Sequence, residues 1–267
     1  MIGFNHLGRL GQLGNQMFQY AALKGIATNR NYSFIVPCYP DPVVDALGNH
    51  LRTEIFDAFE LRDCSHGTVQ TETYIQEPGF EYSEAFMEQC PDDVSLVGFF
   101  QTEKYFKNIE EEIRDDFTFR QEIRSECDEL AEDAFEEPIA LHIRRGDFLK
   151  NSGNHHNLGL DYYKQALNQF NPKQQVVIFS DDPQWCLEQE LFEGDRFMVS
   201  SGNGPYHDLY LMSLCSDFII ANSTFSWWGA WLCDNKDKVV ICPSIWFGVN
   251  NQDKDIKDLY PEEWTVL

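Results

Sequence analysis

Pro138-Ile-Ala-Leu-His-Ile-Arg-Arg-Gly-Asp147 is the stretch from which the fold is most easily read. Ile139 to Ile143 form an apolar run broken only by His142, and the run leaves through two arginines, a glycine and an aspartate. A strand that is apolar on both faces belongs inside a parallel sheet covered by helices. Downstream the same pattern recurs. Apolar runs at 176–179, 197–199, 218–221 and 239–242 alternate with 160–170, 183–192, 206–215 and 224–232, each apolar at helical spacing. Alternating strands and helices predict parallel pairing. Residues 139–250 are therefore expected to form a Rossmann-like α/β domain, which binds ligands beyond the carboxyl ends of its strands.

Upstream of Pro138 the pattern is mixed. Gly8, Gly11 and Gly14 space a loop that runs into a helix over 15–28; short strands are expected at 33–37 and 96–100, and an acidic helical region over 102–135. The segment 41–95 has no firm period. Pro138 marks the boundary, giving domains 1–138 and 139–250 and a tail, 251–267, that could pack back on the first.

With 267 residues the chain can bury a sizeable core, and 43 % apolar and 14 % aromatic residues exclude disorder, collagen-like repeats and coiled coil. Forty-four acidic against 20 basic side chains give a formal charge of −24, a field that repels nucleic-acid backbones and anionic lipid surfaces. A phosphorylated ligand would thus need a local basic cluster, which makes Arg144 and Arg145 informative. The eight cysteines are spread singly, never as Cys-x-x-Cys, and read as reduced thiols mostly in the core. No basic region followed by an apolar stretch opens the chain, and no stretch is apolar enough for a membrane span. A cytoplasmic protein is expected.

Four segments carry chemistry. His142-Ile-Arg-Arg-Gly-Asp147 leaves a strand into a loop where a ligand site belongs; one guanidinium is expected to face the ligand with its planar fork while its neighbour is held by a carboxylate such as Asp147. The bland alternative is a surface ion pair or a chance Arg-Gly-Asp. Ala221-Asn-Ser-Thr-Phe-Ser-Trp-Trp-Gly-Ala-Trp231 is a strand-to-helix turn whose hydroxyls can cap the helix and whose N–H groups can meet an anion. Ser223, Thr224 and Phe225 are expected near the ligand, with Trp227, Trp228 and Trp231 packing. Phe179-Ser-Asp-Asp-Pro183 offers Ser180 and Asp181 as ligand contacts, such as to a ribose, Asp182 as a helix cap before proline, or the two aspartates as a metal pair. Leu10-Gly-Gln-Leu-Gly-Asn-Gln-Met-Phe-Gln-Tyr20 places Asn15 and Gln16 at a helix start beside glycines, but its spacing is not that of a nicotinamide dinucleotide loop.

In order and approximate spacing these segments, from Gly11 to about Phe247, resemble those of the bacterial α-1,2-fucosyltransferases of glycosyltransferase family 11, and Gly98-Phe-Phe-Gln-Thr-Glu-Lys-Tyr-Phe106 is similar to a further family segment. The resemblance implies a GT-B-like architecture of two Rossmann-like domains with a nucleotide-sugar cleft between them. The first would be the acceptor side and the second would bind the GDP-sugar. It further implies inverting transfer of L-fucose from GDP-β-L-fucose, a substrate, to the 2-hydroxyl of a terminal galactose on a glycan, with no cofactor and no metal. Arg144 would contact the donor phosphates and Arg145 would support that arrangement. His142 and Asp208 would lie near guanine, where one carboxylate can accept from both N1–H and the 2-amino group. Asn15 and Gln16 would approach the fucose or β-phosphate, and Ser223, Thr224 and Phe225 would line the phosphate and sugar side.

The general base has two candidates. His155 precedes Tyr162 at the family's spacing, although this chain has His-His where members have His-Gly; Asp147 is the second, but a carboxylate beside two guanidiniums is a poor proton acceptor. The rival readings are a transferase for another GDP-sugar or acceptor, and a carbohydrate-binding protein without turnover. Oligomeric state is not legible in the sequence.

Overall fold

The computed structural model describes residues 1–62 and 64–267. The chain divides into two compact units, Met1–Arg120 with Asp253–Pro261 and Gln121–Gln252 with Glu262–Leu267.

The second unit is built on a six-stranded sheet, all parallel, in the order Phe197–Val199, Val176–Ser180, Ile139–Ile143, Asp217–Ile219, Val240–Cys242, Thr265–Val266. Counted along the chain this is 3-2-1-4-5-6, the Rossmann order. The runs at 139–143 and 197–199 coincide with strands, and the others are displaced by one or two residues. Every residue of Ile139–Ile143 is buried, because helices cover both faces. On one face Tyr163, Ala166 and Leu167 of the helix Leu160–Leu167 join Ile139, Leu141, Ile143 and Ile178 in a core. Trp227 and Trp228, fully buried on the helix Thr224–Leu232, pack edge to face with ring centroids 5.0 Å apart, and Trp264 lies 5.4 Å from Trp227. The tryptophans are thus core, as their spacing predicts, each removing on the order of 200 Å² from water.

The boundary between units falls before the acidic helix Gln121–Ala134, ahead of Pro138. This helix packs on the helix Pro205–Ser213: Tyr210 donates to Asp128 at 2.8 Å, and His207 Nε2 lies 3.1 Å from Glu126. The tail beyond residue 250 does not act as one piece. Asp258 accepts from Lys104 Nζ and from the Tyr82 N–H, which ties Asp253–Pro261 to the first unit, whereas Thr265–Val266 extends the second sheet.

The first unit has a five-stranded parallel sheet in the order Ser65–His66, Phe34–Val36, Ile2–Gly3, Ser95–Val97, Tyr74–Gln76. Its central strand, Ile2–Gly3, immediately precedes the glycine loop, where the sequence showed no strand; two residues are too few to display a period. The helix expected over 15–28 spans Leu13–Arg30 and is buried along most of its length. The region 102–135 breaks into two 3-10 turns and the helices Glu110–Asp116 and Gln121–Ala134. Six cysteines are buried, Cys38 is exposed and Cys64 half-buried, and none is in a disulfide. Among the described residues no helix is long and apolar enough to cross a membrane.

Candidate active site

In a sheet of this order, the loops leaving the first and fourth strands run to opposite sides and open a crevice between them. Here those strands are Ile139–Ile143 and Asp217–Ile219, which pair side by side. Their exits are the arginine segment and the serine–tryptophan segment. His142 joins the two: its Nδ1 lies 2.8 Å from Ser226 Oγ, and its ring centroid is 5.5 Å from that of Phe225. Burial and, secondarily, the nearby Arg144 charge drive the His142 imidazole down to about 3, so it is neutral at physiological pH.

Arg144 leaves the strand with its Nε and Nη2 against Asp147, at 3.0 and 2.7 Å, and its Nε 3.2 Å from Asp181. Its side chain keeps 19 % exposure, so the guanidinium is anchored rather than free in water. Arg145 turns elsewhere. Its Nε donates to Asp182 at 3.0 Å, and its guanidinium lies 3.9 Å from the centre of the Trp185 ring. The expected division, one arginine toward ligand and one held by a carboxylate, is thereby replaced: both are held, and Asp147 holds Arg144. The two guanidiniums are matched by three carboxylates, so the arginines do not make this corner net positive.

Asp181 and Asp182 diverge. Asp181 accepts from the Arg145 N–H at 2.8 Å besides contacting Arg144. Asp182 caps the helix Pro183–Leu187 by accepting from the Trp185 N–H, with proline in the first turn, and its own N–H donates to Ser180 Oγ. Ser180 and Asp181 thus shape the loop that presents Arg144. Among the described residues no group of three or more His, Cys, Asp or Glu side chains is placed to hold a metal ion.

On the other exit, Ser223 caps the helix Thr224–Leu232 by accepting from the Phe225 N–H. Thr224 and Phe225 are half-buried. Asn222, which sequence reasoning passed over, is buried and donates to the carbonyls of His156 at 2.9 Å and Trp246 at 2.8 Å. Tyr162 donates to the Ile220 carbonyl at 2.7 Å. Together they bring the loop that carries His155 to the exit of the fourth strand. The His155 ring stacks on Phe148, with centroids 4.1 Å apart and an interplanar angle of 11°. Burial chiefly, and Arg144 further, hold it below the ordinary histidine value, with Asp147 opposing. Asp208 belongs to a different strand exit. It accepts from Ser200 at 2.6 Å just past the edge strand Phe197–Val199, and burial raises its carboxyl above the usual range against that hydrogen bond.

In the first unit the corresponding switch point lies between Ile2–Gly3 and Ser95–Val97. Gln16 is fully buried; its amide donates to the carbonyls of Gly11 and Arg52 and accepts from the Glu54 N–H. It is a brace of the glycine loop, not the ligand contact expected of it. Asn15, one residue earlier, is half-buried and accepts from Gln101 Nε2 at 2.8 Å. Glu77 accepts from the N–H groups of Phe99 and Phe100, at 2.8 and 2.9 Å, and desolvation pushes its carboxyl up to about 7.

Two units, each a parallel sheet flanked by helices, with polar side chains gathered at the switch points, define an α/β enzyme of the GT-B glycosyltransferase type. The family model "Glycosyl transferase family 11" matches residues 2–267, and the chain belongs to that family. It is 32 % identical over 91 % of its length, and 95 % of the relative's, to the O-antigen biosynthesis glycosyltransferase WbnK of Escherichia coli. It is 30 % identical to an alpha-1,2-colitosyltransferase of Escherichia coli over 96 % of both chains. Its fold is similar to that of NodZ alpha-1,6-fucosyltransferase soaked with GDP-fucose, with a TM-score of 0.53 and 14 % identity over 86 % of this chain and 91 % of the other.

Proposed function

We propose that this glycosyltransferase moves L-fucose from GDP-β-L-fucose to the 2-hydroxyl of a terminal galactose on a glycan, with inversion at the anomeric carbon and no required metal. The observation that carries this reading is the contact of His142 with Phe225 and Ser226, which sets the arginine loop and the serine turn on the two sides of one crevice. The leaving group is a diphosphate whose charge grows in the transition state, and fixed donors aimed at that charge accelerate the step. Arg144, oriented by Asp147 and Asp181, supplies one such donor. The N-terminus of the helix Thr224–Leu232 supplies others, its dipole being equivalent to about half a positive charge. Aimed donors are needed because the carboxylates cancel the net charge of the two arginines. Arg145, Ser180 and Asp181 preserve the loop, and Asp208 would accept from guanine.

His155 is the proposed base. Being held below its ordinary value of 6.5, the imidazole stays unprotonated at pH 7 and can accept the acceptor hydroxyl's proton. The acid limb of the kcat profile should therefore fall below pH 6.5, not at or above it. His155→Ala is expected to lower kcat by about 10²-fold or more with little change in donor KM; an unchanged kcat places the base elsewhere.

The 30 % identity to an alpha-1,2-colitosyltransferase makes a GDP-linked deoxy analogue of fucose the second donor to assay. The protein is incubated with GDP-fucose or GDP-colitose and a panel of galactosides, with and without EDTA, reading released GDP and product linkage. GDP release with formation of an α-1,2-fucosyl galactoside, unaffected by EDTA, is expected. A preference for GDP-colitose replaces the donor, and loss with EDTA overturns metal independence. Glycan binding without GDP release would make the protein a lectin.

A further inference from the structure

The loop that carries His155 is fastened to a segment 96 positions further along the chain, and both lie in the second unit. The turn that follows the helix Gly146–Lys150 is closed by the N–H groups of Asn154 and His155, both donating to the Asn151 carbonyl at 3.0 Å. Residues 247–251 then lie along this turn. The Gly248 N–H donates to the Asn154 carbonyl at 2.9 Å, the Asn250 N–H donates to the Gly153 carbonyl at 2.7 Å, and Phe247 pairs antiparallel with His155. Three asparagine side chains close the junction. Asn154 Oδ1 accepts from Asn251 Nδ2 at 3.1 Å and from Asn250 Nδ2 at 3.3 Å, and its Nδ2 donates to Asn151 Oδ1 at 2.8 Å. The two backbones come so close that a Cβ at Gly248 would lie 2.5 Å from the Ser152 carbonyl oxygen, and one at Gly153 2.6 Å from Asn250 Nδ2.

This fastening matters because the imidazole has little else to place it. Its ring stacks on Phe148 at 4.1 Å and, among the described residues, makes no hydrogen bond. A stack fixes the plane of a ring but leaves it free to slide and turn within that plane, so the position of the ring nitrogens depends on where the backbone is held. The Arg144 guanidinium lies 5.6 Å from the centre of the same Phe148 ring, so one stack links His155 to the arginine loop. The charged groups that act on His155 are Asp147 and Arg144, in opposite directions. Asn154 and residues 247–251 bring no charge, so they act on the histidine by position.

We propose that Asn154 is a positioning residue: with Asn250 and Asn251 it clasps the His155 loop onto residues 247–251 and holds the imidazole stacked on Phe148 beside the arginine loop. The catalytic consequence rests on the reading of His155 as the base; the clasp itself does not.

Two measurements keep the parts separate. In the free protein the His155 imidazole is titrated by NMR. Opening the clasp lets water reach the ring and relieves the burial that chiefly lowers its value, so Asn154→Ala should move the midpoint up toward 6.5 and speed exchange of the Gly248 and Asn250 N–H groups. Gly248→Ala has a backbone that suits alanine, yet its Cβ would press on the Ser152 and Gly153 carbonyls, so it should produce both changes from the other side of the clasp. With GDP-fucose and a galactoside, Asn154→Ala should lower kcat about ten- to a hundredfold, as a misplacement of about 1 Å does, and leave the donor KM unchanged. The acid limb of its kcat profile should rise with the midpoint. An unshifted midpoint in both folded variants overturns the clasp, whatever His155→Ala does to kcat. A loss of kcat in His155→Ala that folded Asn154→Ala does not share overturns it equally. If His155→Ala keeps its kcat, the base reading fails, while a shifted midpoint in Asn154→Ala still supports the clasp.

Discussion

Arg144→Ala is expected to lower turnover of GDP-fucose by about 10²- to 10³-fold, the range that one preorganised charge-stabilising donor commands. The physical reason is the way the side chain is held. Two carboxylates fix its Nε and Nη2 edge, and the surrounding loop is capped and cross-tied through Asp181 and Asp182, so the guanidinium reaches the transition state without reorganising. Removing it leaves Asp147 and Asp181 without this shared cation. At 16 % and 24 % side-chain exposure water screens only part of that cost, so Tm should fall as well, and turnover is compared at a temperature where the variant is folded. Arg144→Lys should recover the charge but not the planar fork, and so little of the rate. GDP release measured beside a thermal scan decides the matter: normal turnover in folded Arg144→Ala removes the arginine from the site and with it the reading of the crevice.

Gly25→Ala is expected to give the largest loss of stability. In an exposed helix interior this change gains about 1 kcal/mol from propensity. Here a Cβ would stand 2.0 Å from the Tyr105 carbonyl oxygen and 3.0 Å from Phe106 Cα. Both are backbone, so no side-chain rotation relieves the clash, and the helix Leu13–Arg30 must move away from the turn Glu103–Tyr105. Overpacking of this kind costs about 3 kcal/mol or more, equivalent to a Tm drop on the order of 10 °C for the first unit. A thermal scan with hydrogen exchange on both units should localise the loss to the first. An unchanged melting profile would mean that the helix and the turn are not in contact in solution.

The second sheet was legible because its strands are buried on both faces and so read as unbroken apolar runs. Ile139–Ile143 announces itself in this way. Asp182 could be recognised as a cap because proline follows it. The first sheet was legible only in part: the strands expected at 33–37 and 96–100 lie at Phe34–Val36 and Ser95–Val97, and the other three were missed. Ile2–Gly3 and Ser65–His66 are two residues each, and the hairpin Val43–Val44 with His50–Leu51 exposes both valines, so neither length nor period survives in the sequence. Gln101 lay inside a segment already noticed, but nothing local tells that its amide pairs with Asn15, 86 positions earlier.

Residue order along the chain thus settled the fold class, the family and the segments that carry chemistry, since those depend on local pattern and on motifs a few residues long. Which residue does what was decided by tertiary structure. Gln16 became a brace of the glycine loop and Asn15 a partner of Gln101, although they are adjacent on one helix, because helical geometry points neighbours about 100° apart. Arg144 and Arg145 parted toward different carboxylates for a similar reason, and Asp181 reached Arg144 only because pairing of Ile139–Ile143 with Val176–Ser180 brings their exits together. Contacts between residues dozens of positions apart exist only once the sheet has formed, and the site is made of such contacts.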